Sequence, residues 1–243
     1  MPTKKPRGHP LSPKLLADYR DAAIINAGEL IAEAETLLEG HHHARAYFLA
    51  GAAIEEVGKA VQAAQGIGRN LTDPAVRTML QTQFETHSSK VTSAFIPWML
   101  ASTDLQAEVM DFISTALDVQ QGREPSMYVD INPQSLLVVI PRVVVRSTAA
   151  SNCVALARAV LERAKPYVES AAAQTYTRQQ DAFFSMNTAV FNKMAHTADF
   201  WEYYLSRIAA GDKAVENAVI DYHLRYFTKS LLFKPSPPAD GDA

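Results

Sequence analysis

The chain has one cysteine, Cys153, in 243 residues. A single thiol cannot close an intrachain disulfide, which excludes a disulfide-stapled scaffold and fits a reducing compartment. Cys153 then reads as a small helix-packing residue. Glycine is scarce, at 10 residues, so few positions invite the chain to break. No apolar run approaches the roughly 20 residues of a membrane span. The longest, residues 136–145, is interrupted by Pro141 and Arg142. Residues 1–10 are basic and proline-rich with no apolar stretch after them, unlike a secretory signal. A cytoplasmic protein that does not engage membranes is the expectation. Excess charge is also missing. With 23 Lys and Arg against 26 Asp and Glu, the net charge is -3, which gives no whole-molecule attraction to nucleic acid or anionic lipid. There is no P-loop, dinucleotide fingerprint or zinc-ligand spacing. Glu-x-x-His does not occur on two helices, as a di-metal bundle requires. No cofactor and no metal are expected, and the His41-His42-His43 tract reads as an incidental surface run, because consecutive histidines cannot all face one ion.

What is present is a long series of apolar residues at three- and four-residue spacing, the mark of an all-α protein. Hydrophobic residues make up 48% of the chain, enough for a substantial core. Ser12-Pro13 reads as a cap followed by proline at the first helical position, opening a helix that Gly40 ends. Further helices are expected over residues 43–65, 73–98 and 104–121, followed by a loop over residues 123–133. Residues 136–145 are rich in β-branched side chains but have no evident partner strand, so they read as a buried helix broken at Pro141, with helix continuing to about residue 164. Two long aromatic-rich helices are expected over residues 178–209 and 212–233. The domain reading is a disordered 1–12, a helical bundle over 13–165, a C-terminal helical extension over 166–234 packed on the bundle or on a dimer partner, and a disordered 235–243.

Two polar motifs stand out in the expected bundle. Ala53-Ile54-Glu55-Glu56-Val57-Gly58-Lys59 lies on the second helix, and Phe84-Glu85-Thr86-His87-Ser88-Ser89-Lys90 on the third. On a helical wheel Ala46, Ala50, Ala53, Ile54, Val57, Val61 and Ala64 share the core side. Arg45, Leu49, Ala52, Glu56 and Lys59 lie opposite, with Glu55 beside them. That second face mixes charge with apolar and small residues, so a neighbouring element is expected to cover part of it. A half-buried Glu56 needs a partner, and Arg45 or Lys59 can supply one. The plainer alternative is a solvated face with Glu55 and Lys59 as an ordinary i,i+4 pair. His87, one turn before Lys90, is the best-placed residue for proton transfer near neutral pH, against the alternative of a satisfied core histidine. A third segment carries Arg123, Glu124, Tyr128 and Asp130 in the expected loop, where it can fold back over the helix pair or simply form a surface turn with Asp130 capping the next element.

Arg45-Ala46, the Glu55-Glu56-x-Gly58-Lys59 string, Phe84-x-x-His87-x-x-Lys90, Arg123-Glu124 and Tyr128-Val129-Asp130, in this order, resemble the AbiV family of abortive infection proteins. That family is placed in the HEPN superfamily of small helical bundles, and the resemblance covers roughly residues 17–165. It implies an HEPN-like antiparallel helical bundle, here with an additional C-terminal helical pair, and a role in phage defence that halts phage multiplication. The implied partners are a phage or host protein, with RNA as a further possibility, and the implied assembly is a homodimer. The polar cluster it marks is Arg45, Glu55, Glu56, Lys59, His87, Lys90, Arg123, Tyr128 and Asp130. Many HEPN proteins are metal-independent ribonucleases that carry an Arg followed four to six residues later by a His. No histidine here has that spacing. The resemblance therefore implies a binding protein first. A metal-independent ribonuclease is the alternative, with His87, Glu56, Lys59 and Lys90 as candidate catalytic residues and Arg45, Lys59 or Lys90 stabilising charge on the reacting phosphate. A non-catalytic helical oligomer built on the aromatic C-terminal helices is the third reading.

Overall fold

The computed structural model describes residues 11–234, apart from the side chains of residues 105–109 and 112. The expected disordered ends lie outside the described residues, except that Ser12 is an ordered helix cap. The chain divides into two compact units. The first holds residues up to 71 and residues 80–175, and the second holds residues 72–79 and those from 176 onward.

The first unit is built on α1 (Pro13–Glu39) and α2 (His43–Ile67). Ser12 Oγ accepts the Leu15 amide, and Pro13 fits the first turn, where no amide partner is needed. Alanines line the contact: Ala23, Ala27 and Ala34 on α1, and Ala46, Ala50, Ala53, Ala60 and Ala64 on α2, are all buried. Small side chains there let the helix axes come close. α2 is also packed against α4 (His87–Ala101), α5 (Leu105–Met127) and α7 (Ser147–Ala172). It is buried nearly all round from Gly51 to Ala64, the pattern of a central helix. The cover from α4 falls on the side that carries Glu55, Gly58 and Gln62, while Glu56 and Lys59 of the expected second face stay partly exposed.

Four local expectations are corrected. The expected helix over residues 73–98 is two helices, α3 (Pro74–Glu85) and α4. Thr86 between them is extended, with φ -95° and ψ 114°, and its hydroxyl donates back to the Thr82 carbonyl at 2.7 Å. This local bond competes with helix continuation and makes His87 the first residue of α4. Second, the expected loop at 123 is still helix: α5 runs through Pro125 to Met127, so Arg123 has a fixed helical position. Third, residues 136–145 are not a buried helix. Asp130–Ile131 (β1) and Val138–Val139 (β2) form a short antiparallel hairpin, and Pro141–Val144 (α6) follows. Asn132 closes the hairpin by accepting the amides of Gln134 and Ser135 on its Oδ1, with Leu136 at φ 57°, a side chain-to-backbone turn that asparagine favours. Fourth, α7 passes through Pro166 to Ala172 without a break, and the unit boundary falls after Thr175 rather than at 165.

In the second unit, the expected pair of long aromatic helices is four short ones: α8 (Arg178–Phe184), α9 (Thr188–Ala195), α10 (Ala198–Ala209) and α11 (Val215–Arg225), followed by a 3-10 turn at Phe227–Lys229. Thr177, Asn187 and Thr197 each cap a new helix with a side-chain oxygen. Three capping residues within about 20 positions favour restarts over one long helix. Phe200, Tyr203 and Tyr222 form the buried centre of this unit with Met194 and Val219. Its aromatics thus build a core of their own.

Candidate functional site

One side of α2 carries small and polar residues at helical spacing: Gly51, Glu55, Gly58 and Gln62. This ridge faces α4. Gly58 marks the closest approach, since a Cβ built there would stand 1.8 Å from the Lys90 carbonyl oxygen. Only glycine allows two backbones to meet in this way. One turn on, Gln62 Nε2 donates to Ser89 Oγ at 3.2 Å and Ser93 Oγ at 3.0 Å. One turn back, the Glu55 side chain meets the first turn of α4.

Glu55 is the centre of the site. Its side chain is 9% exposed. The His87 Nδ1–H donates to Oε2 at 2.7 Å, Lys90 Nζ donates to the same oxygen at 2.9 Å, and Arg123 Nε lies 3.0 Å from Oε1. Lys90 is itself buried, with a side chain 7% exposed. Burial alone would raise the Glu55 pKa. The hydrogen bonds and charges of His87 and Lys90 outweigh burial and hold it below its ordinary value. The carboxylate is therefore ionised, and His87 must present Nδ1 as a donor to it. That leaves Nε2 as the second functional atom of a ring whose side chain is 55% exposed.

His87, Arg123 and Glu55 border a cleft of about 230 Å³, together with Gly51, Ser88 and Gln120. Lys90 and Arg123 carry two positive charges against the single negative charge of Glu55. The cleft therefore offers a carboxylate-oriented imidazole beside a surplus of positive charge, which suits an anionic or hydrogen-bonding group.

The nine residues marked in the sequence separate into groups. Glu55, His87, Lys90 and Arg123 come together. Glu56 pairs instead with Lys59 on its own helix, at 2.5 Å, so neither candidate joins His87. Arg45 donates from Nη1 to the Met127 carbonyl at 3.2 Å. Tyr128 and Asp130 are exposed, and Asp130 Oδ1 accepts the Ile131 amide. Sequence reasoning gave no role to Gly51, Gln62, Ser89 or Ser93, although the Gly51-Glu55-Gly58-Gln62 spacing is a readable signal for one helix ridge. Among the described residues no three His, Cys, Asp or Glu side chains are grouped to hold a metal ion, and no helix is long and apolar enough to cross a membrane.

The first unit is an all-α bundle with one short hairpin, consistent with an HEPN-like helical fold. A family model described as AbiV matches residues 15–162, which is more than half of the chain and includes every residue of the Glu55 site. The protein belongs to the AbiV family. Neither functionally described proteins nor solved structures gave a match.

Proposed function

We propose that the protein is an abortive-infection protein that stops phage multiplication by binding a phage or host protein. Family membership supports the phage-defence role. The observation that carries the binding mode is the apolar surface of residues 128–144. Ile131, Leu136, Leu137, Val138 and Val143 are all exposed there, Leu136 at 78% and Leu137 at 68%. Exposed apolar residues concentrated in this way mark interaction sites more often than isolated surface leucines do, and a two-stranded hairpin offers open edges to an extended segment of a partner. The reading takes the cytoplasm as the place of action and the homodimer as the assembly.

A Leu136→Asp/Leu137→Asp variant tests this mode. Its unfolding free energy should stay within about 0.5 kcal/mol of wild type, because both side chains are already in water. Its protection in a phage plating assay should be lost. Full protection by the folded variant would sink the binding surface.

A second reading is a metal-independent ribonuclease. It is favoured by one observation, the His87 ring held by Glu55 at the mouth of a cationic cleft. In this reading Nε2 exchanges a proton with the attacking or leaving oxygen, and Arg123 stabilises charge on the phosphate. His87→Ala should then abolish both protection and RNA cleavage during infection, while Glu56→Gln, outside the cleft, leaves both intact. Intact RNA in fully protected wild-type cells would end the ribonuclease reading.

A further inference from the structure

A second cavity, of about 430 Å³, lies at the turn between α1 and α2, where residues 41–45 meet the end of α5 and the start of α6. Its size falls in the range of small-molecule sites. Its lining joins positive charge to an apolar wall. Arg45 is held in place by its bond to the Met127 carbonyl, and Arg142 comes from α6. Neither guanidinium has an ion-pair partner among the described residues. His41, His42 and His43 line the same side. His41 holds φ at 60°, a conformation that costs energy for a residue other than glycine. No side chain caps α2, so its amide end adds positive potential to that of the arginines. Met127, Ile140 and Pro141 supply the apolar wall. Among the described residues no acidic side chain lines the cavity.

We propose that this cavity binds a small phosphate monoester, with the phosphate between Arg45 and Arg142 and the carbon body on Met127 and Ile140. A monoester carries nearly two negative charges at neutral pH and three acceptor oxygens. Two planar guanidinium forks match that group better than a carboxylate, which a single fork satisfies. This site is separate from the Glu55 cleft; it shares Val129, Ile140, Pro141 and Arg142 with the 128–144 surface but not Leu136 and Leu137, and its binding test does not depend on how the protein stops phage.

The test is calorimetric titration of the full chain with phenyl phosphate, inorganic phosphate and phenol. Phenyl phosphate should bind, inorganic phosphate should bind more weakly, and phenol should give no measurable binding. Arg142→Ala should weaken phenyl phosphate on the order of 10-fold or more, and Arg142→Lys should recover part of that loss. Arg142 makes no hydrogen bond that the fold requires, and a thermal melt confirms that the variant is folded. Arg146→Ala, outside the cavity lining, should leave the affinity unchanged. The proposal is overturned by no phenyl phosphate binding up to about 10 mM. It is equally overturned by wild-type affinity in Arg142→Ala, by an equal loss in Arg146→Ala, or by phenol or inorganic phosphate binding as tightly as phenyl phosphate.

Discussion

Glu55→Ala should lower the stability of the first unit by about 3–5 kcal/mol, the cost of leaving a buried charge without its partner. The orphaned group is Lys90, whose ammonium is buried and has Glu55 as its carboxylate. Arg123 is 30% exposed and can turn to water. His87 is more exposed still. Glu56→Ala, one residue on, removes a partner of Lys59 within a single helix, and because the Lys59 side chain is 22% exposed and can turn to water, the change should cost no more than about 1 kcal/mol. Urea unfolding measures the contrast, with Trp98 on α4 as the reporter in a Trp201→Phe background. A Glu55→Met/Lys90→Met double variant should regain most of the lost stability, since both charges leave the interior together. Equal losses for Glu55→Ala and Glu56→Ala would show that the clamp contributes no more than a surface pair.

The same clamp sets an acid limit. The folded pKa of Glu55 lies below its ordinary value, so the unfolded chain takes up a proton first as pH falls. The stabilisation is complete above the unfolded carboxylate pKa and is lost as pH drops through the folded one. Wild type should therefore lose stability in acid more steeply than the Glu55→Met/Lys90→Met variant. Parallel curves would refute the linkage.

Gly58→Ala should be the other severe change, at about 3 kcal/mol or more. The added Cβ would meet the Lys90 backbone carbonyl, and a helix backbone cannot turn aside as a side chain can. To relieve the overlap α2 and α4 must separate, and this also pulls Lys90 and His87 from Glu55. Gly51→Ala, two turns earlier on the same ridge, meets nothing within 4 Å. It should be neutral or stabilising by about 0.5–1 kcal/mol. Thermal melts of the two variants give the comparison, and similar melting temperatures would mean that the helices are not held at this separation.

The outline of the first unit was readable because its signals are local. Ser12-Pro13 and Gly40 mark the ends of α1, and the alanine spacing marks the face α2 turns to α1. The hairpin at residues 130–139 was not readable as such. Its β-branched run suggested burial, but whether such a run is covered depends on neighbours distant in sequence, and here it stands in solvent. The cluster was half readable. Spacing drew attention to Glu55, Glu56, Lys59, His87 and Lys90, and the wheel favoured Glu56 as the buried carboxylate. One residue corresponds to about 100° of rotation, and only the contact at Gly58 determines which of the two neighbours faces α4.

The sequence by itself determined the all-helical class, the AbiV family, the principal helix starts and the set of polar residues from which the site is drawn. Those properties depend on residue type and on spacing within a few turns. The tertiary structure alone decided that Glu55 is the clamped carboxylate, that Glu56 and Lys59 stand apart, and that Arg123 reaches the site from α5. It also decided that Arg45 and Arg142 meet at a separate cavity. The Glu55 clamp, the Arg123 contact and the Arg45–Arg142 cavity each join residues from elements far apart in the chain, and their meeting depends on how closely the backbones approach, which no single segment specifies.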